Sequence, residues 1–123
     1  MTLSGLELSA IVKLALLVAG SDGDFANEEK VAISVELAKF GVKKESVEGI
    51  LKAALILEPK DALAVVALMD ERQKKYVAAF LAVIIAADGE IQKSEVRVWS
   101  LISALAALPE MTIGEGLEFW ANN

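Results

Sequence analysis

The chain has 123 residues and a mass of 13.1 kDa, which is room for one domain spanning residues 1–123. Lys and Arg total 12 against 18 Asp and Glu, so the formal net charge is −6. Nucleic acid is not an expected partner, because phosphate binding needs a basic surface. The sequence has no Cys and no His, which excludes thiolate and imidazole zinc sites, Cys nucleophiles and Ser-His-Asp triads. No nucleophile motif accompanies the remaining carboxylates, and we therefore expect a protein that is not an enzyme.

Membrane insertion is not expected either. The longest unbroken apolar segment, 76–87, is well short of the roughly 18–20 residues that a membrane-spanning helix needs. The apolar segment 14–19 lacks the positively charged region that precedes the core of a signal peptide, and Glu7 stands in its place. These features predict a cytoplasmic protein.

Helical spacing of apolar residues runs through the whole chain, and no segment sustains the alternation of a half-buried strand. The spacing predicts helices at about 4–19, 27–40, 45–57, 60–69, 71–87, 94–107 and 112–120. Capping boxes are expected to begin the first and the last, Ser4 with Glu7 and Thr112 with Glu115. Gly41 is expected to end the second helix. The predicted fold is an all-α single-domain bundle of about seven helices.

Two helices are assigned specific faces by their apolar residues. The fifth becomes apolar all round after a charged first turn, which is typical of the central helix of a bundle. In the sixth, the spacing places Val98, Leu101, Ile102 and Leu105 together on an inward face.

An offset of 66 residues aligns two segments of the chain, ALLVAGSDGDFANEE ending at Glu29 and LAVIIAADGEIQKSE ending at Glu95. Both contain Asp-Gly, an acidic residue, a large apolar residue, three variable positions and Glu. Each copy stands between an apolar helix and an amphipathic one. This self-similarity predicts an internal helix–loop–helix repeat related by pseudo-symmetry.

The motif spacing suggests a chemical role for its acids. Glycine past a helix end can adopt the left-handed conformation that closes the helix. Glu then falls in the first turn of the next helix, and the large apolar residue, Phe25 or Ile91, is expected to pin the loop to the core. Asp22 with Glu29, and Asp88 with Glu95, can therefore converge. Their oxygens suit a hard divalent cation such as calcium, and magnesium or manganese equally.

The motif also equals the second half of a calcium-binding EF-hand loop. Apolar residues or glycine stand where the first half would supply oxygen ligands. One loop therefore offers about four of the 6–8 oxygens that calcium takes, so a site needs waters, an extra carboxylate or both loops together. In the structural alternative, each Asp accepts backbone N–H groups in a tight turn and each Glu complements a helix dipole, without metal.

The doubled helix–DG(D/E)(F/I)xxxE–helix motif resembles the tellurite-resistance TerB-like family over about residues 10–109. This all-helical domain also stands beside the J domain in DjlA-type co-chaperones. The resemblance implies a helical bundle whose paired acidic loops bind divalent metal in a stress or tellurite response. By motif position, Asp22, Glu29, Asp88 and Glu95 would take the metal-associated role. The chain departs from a capping-box pattern at Ala26 and Gln92, and its negative loops would repel the tellurite oxyanion.

Two functions remain open. The first is a non-enzymatic, divalent-metal-binding helical module of a bacterial stress response. The alternative is a metal-free helical domain that binds an unidentified protein through an apolar groove or through Phe119 and Trp120. The main interpretation of these two residues, and of Trp99, is that they belong to the core. The apolar fraction of 55% is compatible with a homo-oligomer. Stabilisation by cation distinguishes the two functions.

Overall fold

The computed structural model describes residues 3–20, 27–87 and 89–123, and for residues 27–30 it describes the backbone alone. These ranges hold seven α-helices and one 3-10 turn and no strand, which confirms the predicted all-α bundle. The helices are α1 (Gly5–Ala19), α2 (Asn27–Glu36), α3 (Lys44–Ile56), α4 (Pro59–Ala67), α5 (Glu71–Ala86), α6 (Lys93–Leu105) and α7 (Ile113–Asn122). In the described part of the chain, every helix is too short or too polar to cross a membrane.

Both predicted capping boxes are present. The Glu7 N–H donates to Ser4 Oγ at 3.1 Å, and the Ser4 N–H donates to Glu7 Oε1 at 2.9 Å. Thr112 and Glu115 form the same reciprocal pair at the start of α7, with distances of 3.0 and 2.8 Å. A third box, absent from the predictions above, begins α5 at Asp70. Each box satisfies amides that have no partner inside the helix.

The second predicted helix is divided in the structure. α2 ends at Glu36, and the chain continues through the tighter 3-10 turn Leu37–Phe40. Gly41 then ends the segment with φ of 82° and ψ of 14°, the left-handed conformation predicted for it. A side chain at this position would strain the backbone, so glycine accounts for the sharp end.

Two helices share the centre of the bundle. α5 packs against α1, α2, α6 and α7, and residues 76–82 within it are all buried, as predicted for a central helix. α1 packs against α2, α3, α4, α5 and α6, and residues 8–12 within it are all buried. A run of five consecutive buried residues needs neighbours all around a helix. α1 is therefore as central as α5, which the spacing of its apolar residues did not indicate.

The two units of the internal repeat, α1–α2 and α5–α6, pack reciprocally. α1 contacts α6 of the other unit, and α5 contacts α2 of the other unit. Each unit thus covers the apolar face of the other, as neighbouring repeats do. α3 and α4 pack against α1, and α7 packs against α5.

The inward face of α6 agrees with the predicted one in part, since Ile102 is buried and Val98 is partly buried against the core. Its buried residues are Glu95, Trp99 and Ile102, spaced at i, i+4 and i+7. Leu101 and Leu105, which were expected inside, are 59% and 57% exposed. Apolar residues occur on several sides of α6, so their spacing allows more than one rotation. Packing against α1, α4 and α5 selects the rotation that buries Glu95.

α7 lies close against α5. A Cβ atom added to Gly116 would be 2.7 Å from the Cβ of Ala82, so the two helices approach too closely for a side chain there. Next to this contact, five aromatic rings form a cluster with centroid separations of 5.1–6.4 Å. The cluster consists of Phe40, Tyr76, Phe80, Phe119 and Trp120.

Trp120 is fixed by polar contacts as well as by packing. It is 5% exposed, and its Nε1–H donates to Glu36 Oε2 at 2.6 Å. The Lys39 ammonium donates to the Trp120 carbonyl and lies 5.0 Å from the centroid of the Trp120 ring. Trp120 therefore belongs to the core, as its main interpretation predicted.

Candidate acidic-loop site

The second acidic loop joins α5 to α6. Gly89 has φ of +83°, in the left-handed region predicted for the glycine of the motif. Its N–H donates to the carbonyl of Ala86, the last residue of α5, at 3.1 Å. Gly89 therefore satisfies a carbonyl at the helix end while it turns the chain toward α6.

The middle of this loop is more exposed than predicted. Ile91 is 54% exposed, so it does not pin the loop to the core. The Gln92 side chain donates to Glu90 Oε2 at 3.3 Å, and among the described residues it caps no amide of α6. After the loop, Glu95 is the first residue to become fully buried. Glu95, and not Ile91, is therefore the first side chain after the turn to enter the core.

Glu95 is the predicted site residue that the structure describes in full. It is the third residue of α6, as the motif spacing predicted, and it is 1% exposed. Each of its carboxylate oxygens has less than 1 Å² of accessible surface. Glutamate is almost never buried to this extent unless a partner compensates its charge. The dipole of α6 stabilises a negative charge in the first turn but gives no reason for burying it.

The other three predicted ligands lie at the edge of the described structure or outside it. Asp22 and Asp88 are outside the described residues, and so are Phe25 and Ala26 of the first loop. Only the backbone of Glu29 is described, and Glu29 is the third residue of α2, as Glu95 is of α6. The two glutamates thus occupy equivalent places in the two repeat units. The convergence of the four carboxylates stays a prediction.

No group of three or more Asp or Glu side chains able to hold a metal ion occurs within residues 3–20, 31–87 and 89–123. A cation held by Glu95 would therefore take its other oxygens from Asp22, Glu29 and Asp88, from backbone carbonyls or from water. Such a set of hard oxygen donors fits calcium, magnesium or manganese. The enclosed carboxylate of Glu95 fits as well, because a bound cation would neutralise its charge.

Trp99 lies one turn after Glu95 on the same buried face of α6. It is 8% exposed, which confirms its predicted place in the core. Its Nε1 is buried and finds no hydrogen-bond acceptor among the described residues. Buried indole N–H groups usually have a partner. The i, i+4 spacing of Glu95 and Trp99 is visible in the sequence, but the inward face predicted for α6 contains neither residue.

An apolar groove lies between the C-terminal end of α2, with the segment that follows it, and the N-terminal half of α3. Its volume is about 620 Å³. It is lined mainly by Val35, Ala38, Val42, Val47 and Leu51, with Lys44 and Glu48 also in its lining. Val35 is 60% exposed, so the groove presents apolar surface to solvent.

Comparison with known proteins places the fold in a family. Neither a family model nor a curated protein matches the chain. A solved structure does match it: the crystal structure of the protein of unknown function PG1108 from Porphyromonas gingivalis W83, with a TM-score of 0.91. The two sequences are 42% identical, and the match covers 99% of this chain and 92% of that chain. The fold thus defines an all-α helical bundle that recurs in P. gingivalis. The chain belongs to the same protein family as PG1108.

Proposed function

We propose that the chain is a non-enzymatic helical module that binds a divalent cation through its two acidic loops. Asp22 and Glu29 in the first loop, and Asp88 and Glu95 in the second, are the proposed oxygen ligands. The observation that carries the proposal is the complete burial of the Glu95 carboxylate at the start of α6.

The rotation of α6 about its axis buries a carboxylate where the same helix could have buried leucine side chains. Removing an ionised carboxylate from water costs several kcal/mol, which only close partners or a bound cation offset. Burying a leucine side chain instead stabilises by about 1.5–3 kcal/mol. The fold buries Glu95 and leaves Leu101 and Leu105 more than half exposed. A carboxylate in this position needs compensation of its charge, and a bound cation is the compensation that we propose.

The repeat supports a site to which both loops contribute. α6, which begins after the second loop, packs against α1, which leads into the first loop. α2 and α5 are related in the same reciprocal way. One loop supplies only about four of the oxygens that calcium needs, so interlocked units that share ligands would complete the coordination. The proposed role of the chain in a bacterial stress response is based on the TerB-like resemblance.

Thermal stability in the presence and absence of cations tests the proposal. The melting temperature of the chelator-treated protein is measured in EDTA and then in millimolar calcium, magnesium or manganese. A ligand at about 100 times its dissociation constant stabilises the folded state by roughly 2.7 kcal/mol. For a domain of this size, the melting temperature should rise by about 10 °C.

Three variants assign the effect to the loops. Glu95→Gln keeps the shape of the side chain without its charge, and Asp22→Asn with Asp88→Asn does the same for the aspartates. Each should remove the rise. Glu118→Gln is the matched control, because Glu118 is an exposed residue of α7. If no cation raises the melting temperature of the wild type, the loops are turns that join helices and the proposal is wrong.

The groove between α2 and α3 favours a second candidate function, a metal-free helical protein-interaction domain. An open apolar groove is the feature that an amphipathic helix recognises. A second copy of the chain is a suitable occupant to test first, because the apolar fraction of 55% is compatible with self-association.

Sedimentation velocity at increasing protein concentration tests this candidate. The wild type should form a dimer that Val35→Asp abolishes, without a change in melting temperature because Val35 is exposed. The control Leu6→Asp lies on α1 outside the groove, at a residue that is 57% exposed, and should leave the dimer intact. A monomer at every concentration would contradict self-association through the groove.

A further inference from the structure

Trp99 and Glu95 form a pair on the inward face of α6. Trp99 follows Glu95 by four residues, and the two are 8% and 1% exposed. The Trp99 Nε1–H is buried without an acceptor among the described residues. We propose that Trp99 is a positioning residue for the cation site: when a cation is bound, its indole N–H donates a hydrogen bond to the Glu95 carboxylate. This inference rests on the proposed function.

The geometry of a helix brings these two groups within reach. Side chains at i and i+4 are neighbours, with Cβ atoms about 5–6 Å apart. Long side chains in helices lean toward the N-terminus, so the indole of Trp99 leans toward the turn that carries Glu95. Both side chains lie on the buried face of α6, so the proposed hydrogen bond joins neighbours one helical turn apart.

The chemistry of cation sites gives this hydrogen bond a purpose. A carboxylate that ligates a metal is usually held by a second hydrogen bond, which orients the ligating oxygen. A buried donor without an acceptor is costly, and it calls for an explanation in a native protein. Cation binding would draw Glu95 into a fixed orientation in which one oxygen faces the loop and the other accepts from Trp99.

The second tryptophan provides an internal reference. Trp120 Nε1–H already donates to a carboxylate, Glu36 Oε2, at 2.6 Å. The chain has two Trp residues, so its ¹H–¹⁵N spectrum holds two indole resonances. Trp99→Phe and Trp120→Phe assign them.

The test is a titration of the chelator-treated, ¹⁵N-labelled protein with calcium, followed at both indole resonances. The Trp99 resonance should move downfield to the region of a carboxylate-bonded indole, and its exchange with solvent should slow. The Trp120 resonance should stay in place. In a parallel binding titration, Trp99→Phe keeps a packed ring but no donor and should weaken calcium binding about 10–100-fold. Trp120→Phe should leave the affinity unchanged.

The outcomes separate this inference from the proposed function. If the wild type binds calcium while the Trp99 resonance stays in place and Trp99→Phe binds equally well, the positioning role is wrong and the cation site stands. If the wild type binds no cation and neither resonance moves, both are wrong. If Trp99→Phe does not fold, the shift of the Trp99 indole resonance in the wild type decides whether the positioning role is right.

Discussion

Glu95 and Trp99 lie one helical turn apart on the buried face of α6, with exposed fractions of 1% and 8%. The same helix leaves Leu101 and Leu105 more than half exposed on another side. The rotation of α6 therefore places a carboxylate and an indole N–H in the core where leucines were available. The same buried face of α6 therefore contributes to the core of the bundle and to the candidate site.

Substitutions in α6 test this rotation directly. Ile102 is 4% exposed, so Ile102→Ala should lower the free energy of unfolding by about 2–5 kcal/mol. Leu101 is 59% exposed, so Leu101→Ala should lower it by less than about 1 kcal/mol. Urea unfolding followed by circular dichroism measures both. Equal losses, or a larger loss for Leu101→Ala, would indicate the face that the apolar spacing predicted.

The contact between α7 and α5 predicts opposite effects for two neighbouring glycines. In Gly116→Ala the new Cβ would lie 2.7 Å from Ala82 Cβ, so α7 must move, and we expect a loss of about 1–3 kcal/mol. In Gly114→Ala the nearest atom is Thr112 Oγ1 at 3.8 Å, and alanine should stabilise the helix by up to about 1 kcal/mol. Melting temperatures measure both changes. A Gly116→Ala variant as stable as wild type would contradict the close approach.

The end of α6 predicts a stabilising substitution. Ala107 has φ of +54° directly after the C-cap Ala106, and the following Leu108 N–H donates to the Ser103 carbonyl at 2.9 Å. This is the place in a helix end where glycine is preferred. Ala107→Gly should therefore raise the free energy of unfolding by roughly 1 kcal/mol, because alanine is strained in the left-handed region.

Ala104→Gly is the control for that substitution. Ala104 is also exposed but lies inside α6, where glycine should cost about 1 kcal/mol. Chemical denaturation of the two variants should move the midpoint in opposite directions. Destabilisation by both would show that residue 107 does not occupy the left-handed region in solution.

The hydrogen bond between Trp120 and Glu36 predicts an energetic coupling between α7 and α2. The bond joins an indole N–H to a carboxylate at 2.6 Å, in partly buried surroundings. A double-mutant cycle of Glu36→Ala and Trp120→Phe should give a coupling energy of about 1.5–3 kcal/mol. Additive effects of the two substitutions would mean that the bond contributes nothing to stability.

Local signals in the sequence predicted the elements of the fold. Capping boxes at Ser4 and Thr112 and the left-handed glycines 41 and 89 are local, because each depends on residues within one turn of the chain. The order and approximate bounds of the helices follow from such signals together with the 3.6-residue period.

Tertiary packing decided what the sequence left open. α6 has apolar residues on several sides, so its packing against α1, α4 and α5 selects the face that buries Glu95. Ile91 was expected in the core because it is large and apolar, yet a loop that turns at Gly89 leaves it 54% exposed. Trp99 Nε1 finds no acceptor within the described part of the chain, and this property of its surroundings has no signature in composition or period. The motif did place Glu95 correctly in the first turn of its helix.

Isothermal titration calorimetry with calcium, magnesium and manganese on chelator-treated protein measures the central claim most directly. We expect saturable binding of at least one of these cations to the wild type and to Glu118→Gln, and a loss of that binding in Glu95→Gln. Glu95→Gln that binds the cation as tightly as wild type would contradict the role of the buried carboxylate. No binding of any of the three cations to wild type would contradict the cation site itself.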